Sequence, residues 1–356
     1  MKPFKTTDEQ IEILKSRNLI FENEKFASSI LKKYSYYDIV NGYKDILLDE
    51  EKSKANNDIF KDKETFEHLY SLYYFDKWMQ GIIRDATLDF ELVLKNAMSY
   101  IISQHFGVLE NEYLNEKKYK SGKVYFDKKQ NKEISEIDNL IERFKKITRD
   151  DIEPFKHYNK EHGHIPPWIL FKGASLGNMK IFFKLQRSQL KREIILFILE
   201  HNTEHLEDKI RIFYNFLNLC YKFRNRASHS GRIFNYNTSN KIKIDYNDYF
   251  HNRIGISEEK YRLGLGKSDI YTLMKGFEVL DISTNINTQI YHILTIHLEY
   301  YPNDKYFLLS SMGFPDEIIE KRLESIFNID EDMYIDKSIF TKMKLFLKRI
   351  IKKIKI

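Results

Sequence analysis

Arg224 and His229 stand five positions apart in the run Phe223-Arg224-Asn225-Arg226-Ala227-Ser228-His229-Ser230-Gly231-Arg232. Arginine grips a phosphate through a planar fork of donors. Histidine is the side chain most easily tuned to move a proton near neutral pH. Together they make a minimal site for breaking a phosphodiester, provided the two can meet. From Lys222 to Arg232 there is no carboxylate, so Lys222, Arg226 and Arg232 are candidates for holding flanking phosphates.

Each residue of a regular helix advances about 100°, so a separation of five puts two side chains about 140° apart. Either the helix ends between Arg224 and His229, or two copies of the chain complete one site. Ser228, Ser230 and Gly231 are poor helix continuers, and Gly231 is the expected left-handed stop. Upstream, Ile212, Phe213, Phe216, Leu217, Cys220 and Phe223 recur at helical spacing and predict one buried face. A helix C-terminus carries partial negative charge and favours a protonated histidine. Arginine and histidine near a helix end are also common capping groups, so the spacing by itself leaves both readings open.

The longer string separates them. Arg224-Asn225, Ala227-Ser228-His229 and Gly231-Arg232-Ile233-Phe234-Asn235 resemble the signature of the Abi-like (AbiD/AbiF) abortive-infection family, within the HEPN superfamily of helical ribonucleases. The opening Lys2-Pro3-Phe4 with Thr6 to Ile11, Tyr36-Tyr37 with Gly42-Tyr43, and Leu72 to Lys77 resemble family segments. So do Phe90 to Lys95, His157-Tyr158, Pro166-Pro167-Trp168, Ser175-Leu176-Gly177 and Met312 to Pro315. Two departures bear on substrate contacts rather than on the chemistry. Ser230 stands where a second histidine is common, and Phe234 and Tyr236 stand where tryptophan and arginine are.

The resemblance implies a mainly α protein: a HEPN-type helical bundle with an N-terminal helical unit, a small irregular or β-hairpin insertion, and a C-terminal helical extension. The expected division is residues 1–60, 61–300 (insertion about 237–267) and 301–356. It implies a metal-independent endoribonuclease with no cofactor, acting in phage defence or as a toxin. His229 would move the proton, Arg224 would stabilise the phosphate, Asn225 would orient the motif, and Glu91 matches an accessory acidic position. One motif per chain implies a homodimer. RNA is the expected substrate and a small noncoding RNA an expected regulator, whereas DNA lacks the attacking hydroxyl. The alternative is a non-catalytic RNA-binding HEPN scaffold. A third reading, a membrane-targeted effector, rests on the C-terminal helix below.

Composition fits a globular protein with ample core: 356 residues, 42% hydrophobic and 15% aromatic, with a formal charge of +6. The lone Cys220 excludes an intrachain disulfide and fits a reducing compartment. The polar stretch from Lys5 to Gln10 reads as no secretory signal, and no apolar run approaches a membrane span. The expected location is the cytoplasm.

The remaining elements follow from patterning. Thr7 with Gln10 reads as a capping box opening a helix to Ser16. Helices are expected over Glu24–Lys33 and after Ser35. A long helix is expected from Lys63 to His105, with Arg84 and Glu91 two turns apart and open to surface pairing. The lysine- and tyrosine-rich Glu110–Lys132 reads as a solvated hairpin or loop, though such interleaving also suits RNA. Helices resume over Glu133–Thr148, Leu176–Leu185 and Gln189–Glu200. His157, His162 and His164 lie in a Pro/Gly loop without nearby cysteine or clustered carboxylates, which is weak evidence for a metal. Lys241–Tyr246 alternates like a strand, and Asp269–Tyr300 reads as helix. Lys342–Ile356 is a cationic amphipathic helix, in which Lys348, Arg349 and Lys352 could follow RNA phosphates, rest on an anionic membrane, or face solvent.

Overall fold

The computed structural model describes residues 3–53, 58–127, 131–238 and 241–327. The expected basic helix with Lys348, Arg349 and Lys352 lies outside these residues. In chain order the helices are α1 (Thr7–Ser16), α2 (Glu24–Lys33), α3 (Phe66–Phe106), α4 (Glu110–Tyr113) and α5 (Glu136–Ile147). Next come α6 (Phe155–His162), α7 (Pro167–Gly173), α8 (Leu176–Leu185), α9 (Ser188–Ile198) and α10 (Leu206–Ser228). Then follow α11 (Asp248–Arg253), α12 (Glu258–Arg262), α13 (Ile270–Val279), α14 (Ile286–Leu298), α15 (Lys305–Ser311), α16 (Asp316–Ile319) and α17 (Leu323–Phe327). The protein is mainly helical, with one antiparallel hairpin among the described residues, β1 (Val124–Asp127) and β2 (Lys132–Ser135).

The chain divides into two compact units. One comprises residues 1–82, 226–236 and 285–356, and the other 83–225 and 237–284. In the first, α1 is opened by Thr6 and not by Thr7: Thr6 Oγ1 accepts from the Glu9 amide, and Glu9 Oε2 accepts from the Thr6 amide. The cap falls one residue earlier than expected because Thr6 and Thr7 both suit a cap, and only Thr6 has an acid three residues on. The Glu67 carboxylate accepts from the backbone amides of Glu22 and Asn23 and ties the chain before α2 to the start of α3. After α2 the expected third helix is a π-helical turn, Tyr37–Asn41, followed by a short 3-10 turn, Lys44–Leu47.

The second unit packs around phenylalanines. Phe90 lies within 6.0 Å of Phe213 and 5.6 Å of Phe216, and Phe216 meets Phe277 edge-on at 4.9 Å. Gly276 is required there, since a Cβ would sit 2.4 Å from the Phe216 ring. The lone thiol of Cys220 is fully buried, and burial raises its pKa well above the ordinary value.

Two sequence expectations for this unit meet different outcomes. The hairpin, residues 124–135, starts in the Glu110–Lys132 stretch read as a hairpin or loop and runs past it, where helix was expected from Glu133. Lys241–Tyr246 is not a strand: its Ile244 is buried and its amide donates to Lys267 O, but no second strand pairs with it among the described residues. One apolar anchor in an extended segment reproduces strand-like alternation without a ladder. Among the described residues no helix is long and apolar enough to cross a membrane.

Candidate nucleic-acid interface

Helix α10 ends at Ser228, so His229 is the first residue past it. The Gly231 amide donates to Arg226 O at 3.0 Å and the Ser230 amide to Ala227 O at 3.4 Å, the paired bonds of a Schellman stop. The left-handed residue of that stop is Ser230, at φ 55°, and not Gly231 as expected. Gly231 has a different reason to lack a side chain. A Cβ there would come within 2.2 Å of Arg226 Nε, which instead lies over it and donates to Arg232 O at 3.0 Å.

The chain leaving this stop is held by one aspartate. Asp76, fully buried on α3, accepts from the amides of Ile233 at 2.9 Å and Phe234 at 2.8 Å through Oδ1. Its Oδ2 accepts from the Tyr43 hydroxyl at 2.8 Å and from Gln80 Nε2 at 3.4 Å. Burial pushes the Asp76 carboxyl up from its ordinary value, although all four donors pull the other way. Gln80 Nε2 also donates to Gly231 O at 3.2 Å. Both bonds need the amide nitrogen on that side, which fixes its orientation. Arg232 donates to Gly42 O and lies 6.0 Å from the Tyr43 ring centre, so its fork is engaged with the protein.

Of these residues, Gly42, Tyr43, Gln80, Arg226, Gly231 and Arg232 line an open cavity of 640 Å³. Its lining carries Lys33, Lys77, Arg226, Arg232 and His229 against a single carboxylate, Asp38, which itself accepts from Ser35 Oγ. Tyr34, Tyr37, Tyr43 and Tyr73 supply rings. His229 and Arg226 are both exposed at its edge. Arg224 is not among the lining residues; it is half-buried on α10, and its guanidinium reaches Asn225 Oδ1 at 3.4 Å.

Lys222, also half-exposed, sits close enough to Lys180 to help depress that lysine's pKa, after the larger effect of burial. Glu91 is buried and pairs with Lys95 at 2.7 Å, not with Arg84, which is exposed. The other Glu91 oxygen, Oε2, is buried with no hydrogen-bond partner.

A cluster that sequence spacing could not show lies elsewhere in the first unit. His68 Nε2 and His297 Nε2 approach the same Asp304 oxygen at 2.7 and 2.8 Å, and these three groups lie near enough together to hold a metal ion. Hydrogen bonds account for every ring nitrogen. His68 Nδ1 faces Glu64 at 2.7 Å and His297 Nδ1 faces Ser71 Oγ at 3.0 Å. Burial opposes charge on His68, but Asp304 and Glu64 outweigh it and raise its pKa; burial lowers that of His297. Asp304, despite burial, is pulled down to about 2 by its two histidines. A charged His68 and a neutral His297 satisfy the cluster.

Fold and site together define a mainly helical protein with a cationic, tyrosine-lined cavity at the exit of its motif helix. The Abi-like protein family model matches residues 29–235, more than half of the chain, and the chain belongs to that family. No curated protein and no solved structure matches it. Membership implies a role in abortive-infection defence against phage.

Proposed function

We propose that the protein is a HEPN-type endoribonuclease that cleaves RNA without a metal ion. The observation that carries this reading is the placing of His229 on the wall of a cavity whose lining is cationic apart from Asp38. The 2′-hydroxyl oxygen of the RNA attacks the adjacent phosphorus while a His229 imidazole takes its proton. The bond from phosphorus to the 5′ oxygen breaks, and that oxygen receives a proton from an imidazolium, supplied by His229 of a second copy. Arg224 stabilises the negative charge gathering on the phosphate oxygens, and Asn225 holds the arginine. Lys222 and Arg226 face flanking phosphates, Arg232 braces the cavity wall through its bond to Gly42 O, and Glu91 is the accessory carboxylate. The products are a 2′,3′-cyclic phosphate and a 5′-hydroxyl.

The second copy has a candidate surface. Leu88, Leu92 and Tyr100 are exposed on α3 at spacings of one or two turns. A regulatory noncoding RNA would hold the nuclease in check by occupying the same cationic cavity. The chemistry is tested with an oligoribonucleotide carrying one 2′-deoxy sugar at the mapped cleavage point. The reading requires that this single change stop cleavage there; cutting at an unchanged rate would rule out attack by the 2′-hydroxyl.

A further inference from the structure

The cavity holds more than the motif, and its other residues say what it takes. Tyr37 is 73% exposed although it lies on the cavity lining, an unusual amount of free ring for a side chain that could have packed inward. Lys77 is half-buried on α3, with no carboxylate within ion-pair distance among the described residues. Lys33 leans over the Tyr34 ring at 5.0 Å and is likewise without an acid among the described residues. Among the described residues Arg226 hydrogen-bonds to the protein through Nε alone and lies 5.1 Å from the Tyr236 ring centre, which leaves the two terminal nitrogens of its fork for other acceptors.

Gln80 also lines the cavity; it is 3% exposed, and its amide nitrogen is committed twice to protein acceptors, which holds this part of the wall in place.

We propose that this cavity binds one unpaired nucleotide of the RNA, with its base stacked on Tyr37. Its phosphates lie against Lys33, Lys77 and Arg226. A duplex is excluded as ligand because its bases are already stacked and paired, whereas a splayed base offers a free face to the exposed ring. The volume lies within the range of about 300–1,000 Å³ typical of ligand sites. The proposal rests on the ribonuclease reading in one respect: it makes this nucleotide the neighbour of the phosphate that His229 attends. It assigns substrate binding to the segment between α2 and α3, ahead of the motif by nearly two hundred residues.

The test uses full-length Arg224→Ala protein, in which the RNA stays whole, titrated into a fluorescently labelled single-stranded oligoribonucleotide. Tyr37→Ala is expected to weaken binding about 5- to 150-fold, the range for loss of one stacked base, while Tyr37→Phe stays within about twofold. Lys33→Gln with Lys77→Gln lowers the slope of log affinity against log salt by about 0.7 for each phosphate set free. Tyr37→Ala binding as tightly as its parent, or an unlabelled RNA duplex competing as well as the single strand, overturns the proposal.

Cleavage assays in the presence of Arg224 keep the two claims apart. RNA cut normally by Tyr37→Ala protein sinks the inference and leaves the nuclease standing. Binding that depends on Tyr37 without any cleavage supports the inference and sinks the nuclease.

Discussion

Asp76 holds the whole exit of the motif helix with one carboxylate. Replacing it with alanine leaves the buried amides of Ile233 and Phe234 without an acceptor and frees the Tyr43 hydroxyl. Each orphaned amide costs about 1–3 kcal/mol. With two amides orphaned, the expected loss for Asp76→Ala is about 2–6 kcal/mol. Asp76→Asn keeps one oxygen for both amides, and the Tyr43 hydroxyl can turn to accept from the new NH2, so its cost is about 1–2 kcal/mol.

The two tryptophans permit a local readout, since Trp78 lies in the first unit and Trp168 in the second. In a Trp168→Phe background, urea unfolding followed at Trp78 should shift to lower urea by about 1–2 M for the alanine variant, taking a slope of about 2–3 kcal/mol per M. Amide exchange at Ile233 and Phe234 should accelerate with it. A midpoint within a few tenths of a molar of the parent, with both amides still protected, would refute the role given to Asp76.

Other outcomes follow from particular side chains. Asp304 is depressed from 3.8 to about 2, so its stabilisation is present above pH 3.8 and is lost as pH falls through 2. His68 is raised from 6.5, so its contribution is full below pH 6.5 and is lost as pH rises through the raised value. Urea midpoints of the parent protein should thus exceed those of His68→Gln by more at about pH 6 than at about pH 9, and an equal gap counts against the cluster. Ser230→Gly removes a side chain from a left-handed position and should stabilise by about 0.5–1 kcal/mol in the same melts, with RNA affinity unchanged within about twofold. Leu88→Glu with Leu92→Glu should convert a dimer to a monomer by light scattering and abolish cleavage without lowering the melting temperature. A dimer that survives both substitutions places the interface elsewhere.

What the sequence disclosed is the helical frame. Patterning located α2 and α3 to within a few residues and the end of α10 at the motif, because each buries an apolar stripe. It failed where a tertiary partner decided the outcome. Whether Ser230 or Gly231 takes the left-handed turn depends on Arg226 needing the space above Gly231, which no local propensity encodes. The Lys241–Tyr246 segment had the alternation of a strand but, among the described residues, no second strand to pair with.

His68 and Asp304 are 236 residues apart, so their meeting is invisible to spacing. Asp76 carried a signal that could have been read. It falls on the apolar stripe of α3, among Leu72, Phe75 and Met79, and a charge on a buried face must be met by donors from elsewhere. The motif itself was legible as residue types. The cavity was not, because its walls come from α2, the turn that follows it, α3 and the exit of α10, which are far apart in the chain.

The central claim is best tested by incubating RNA in EDTA with the parent protein, Arg224→Ala and His229→Ala, and then identifying the ends of the fragments. Cleavage by the parent alone, leaving 2′,3′-cyclic phosphate and 5′-hydroxyl ends, is the predicted result. Intact RNA with the parent in EDTA and cutting restored by a divalent metal, or equal cutting by all three proteins, would contradict it.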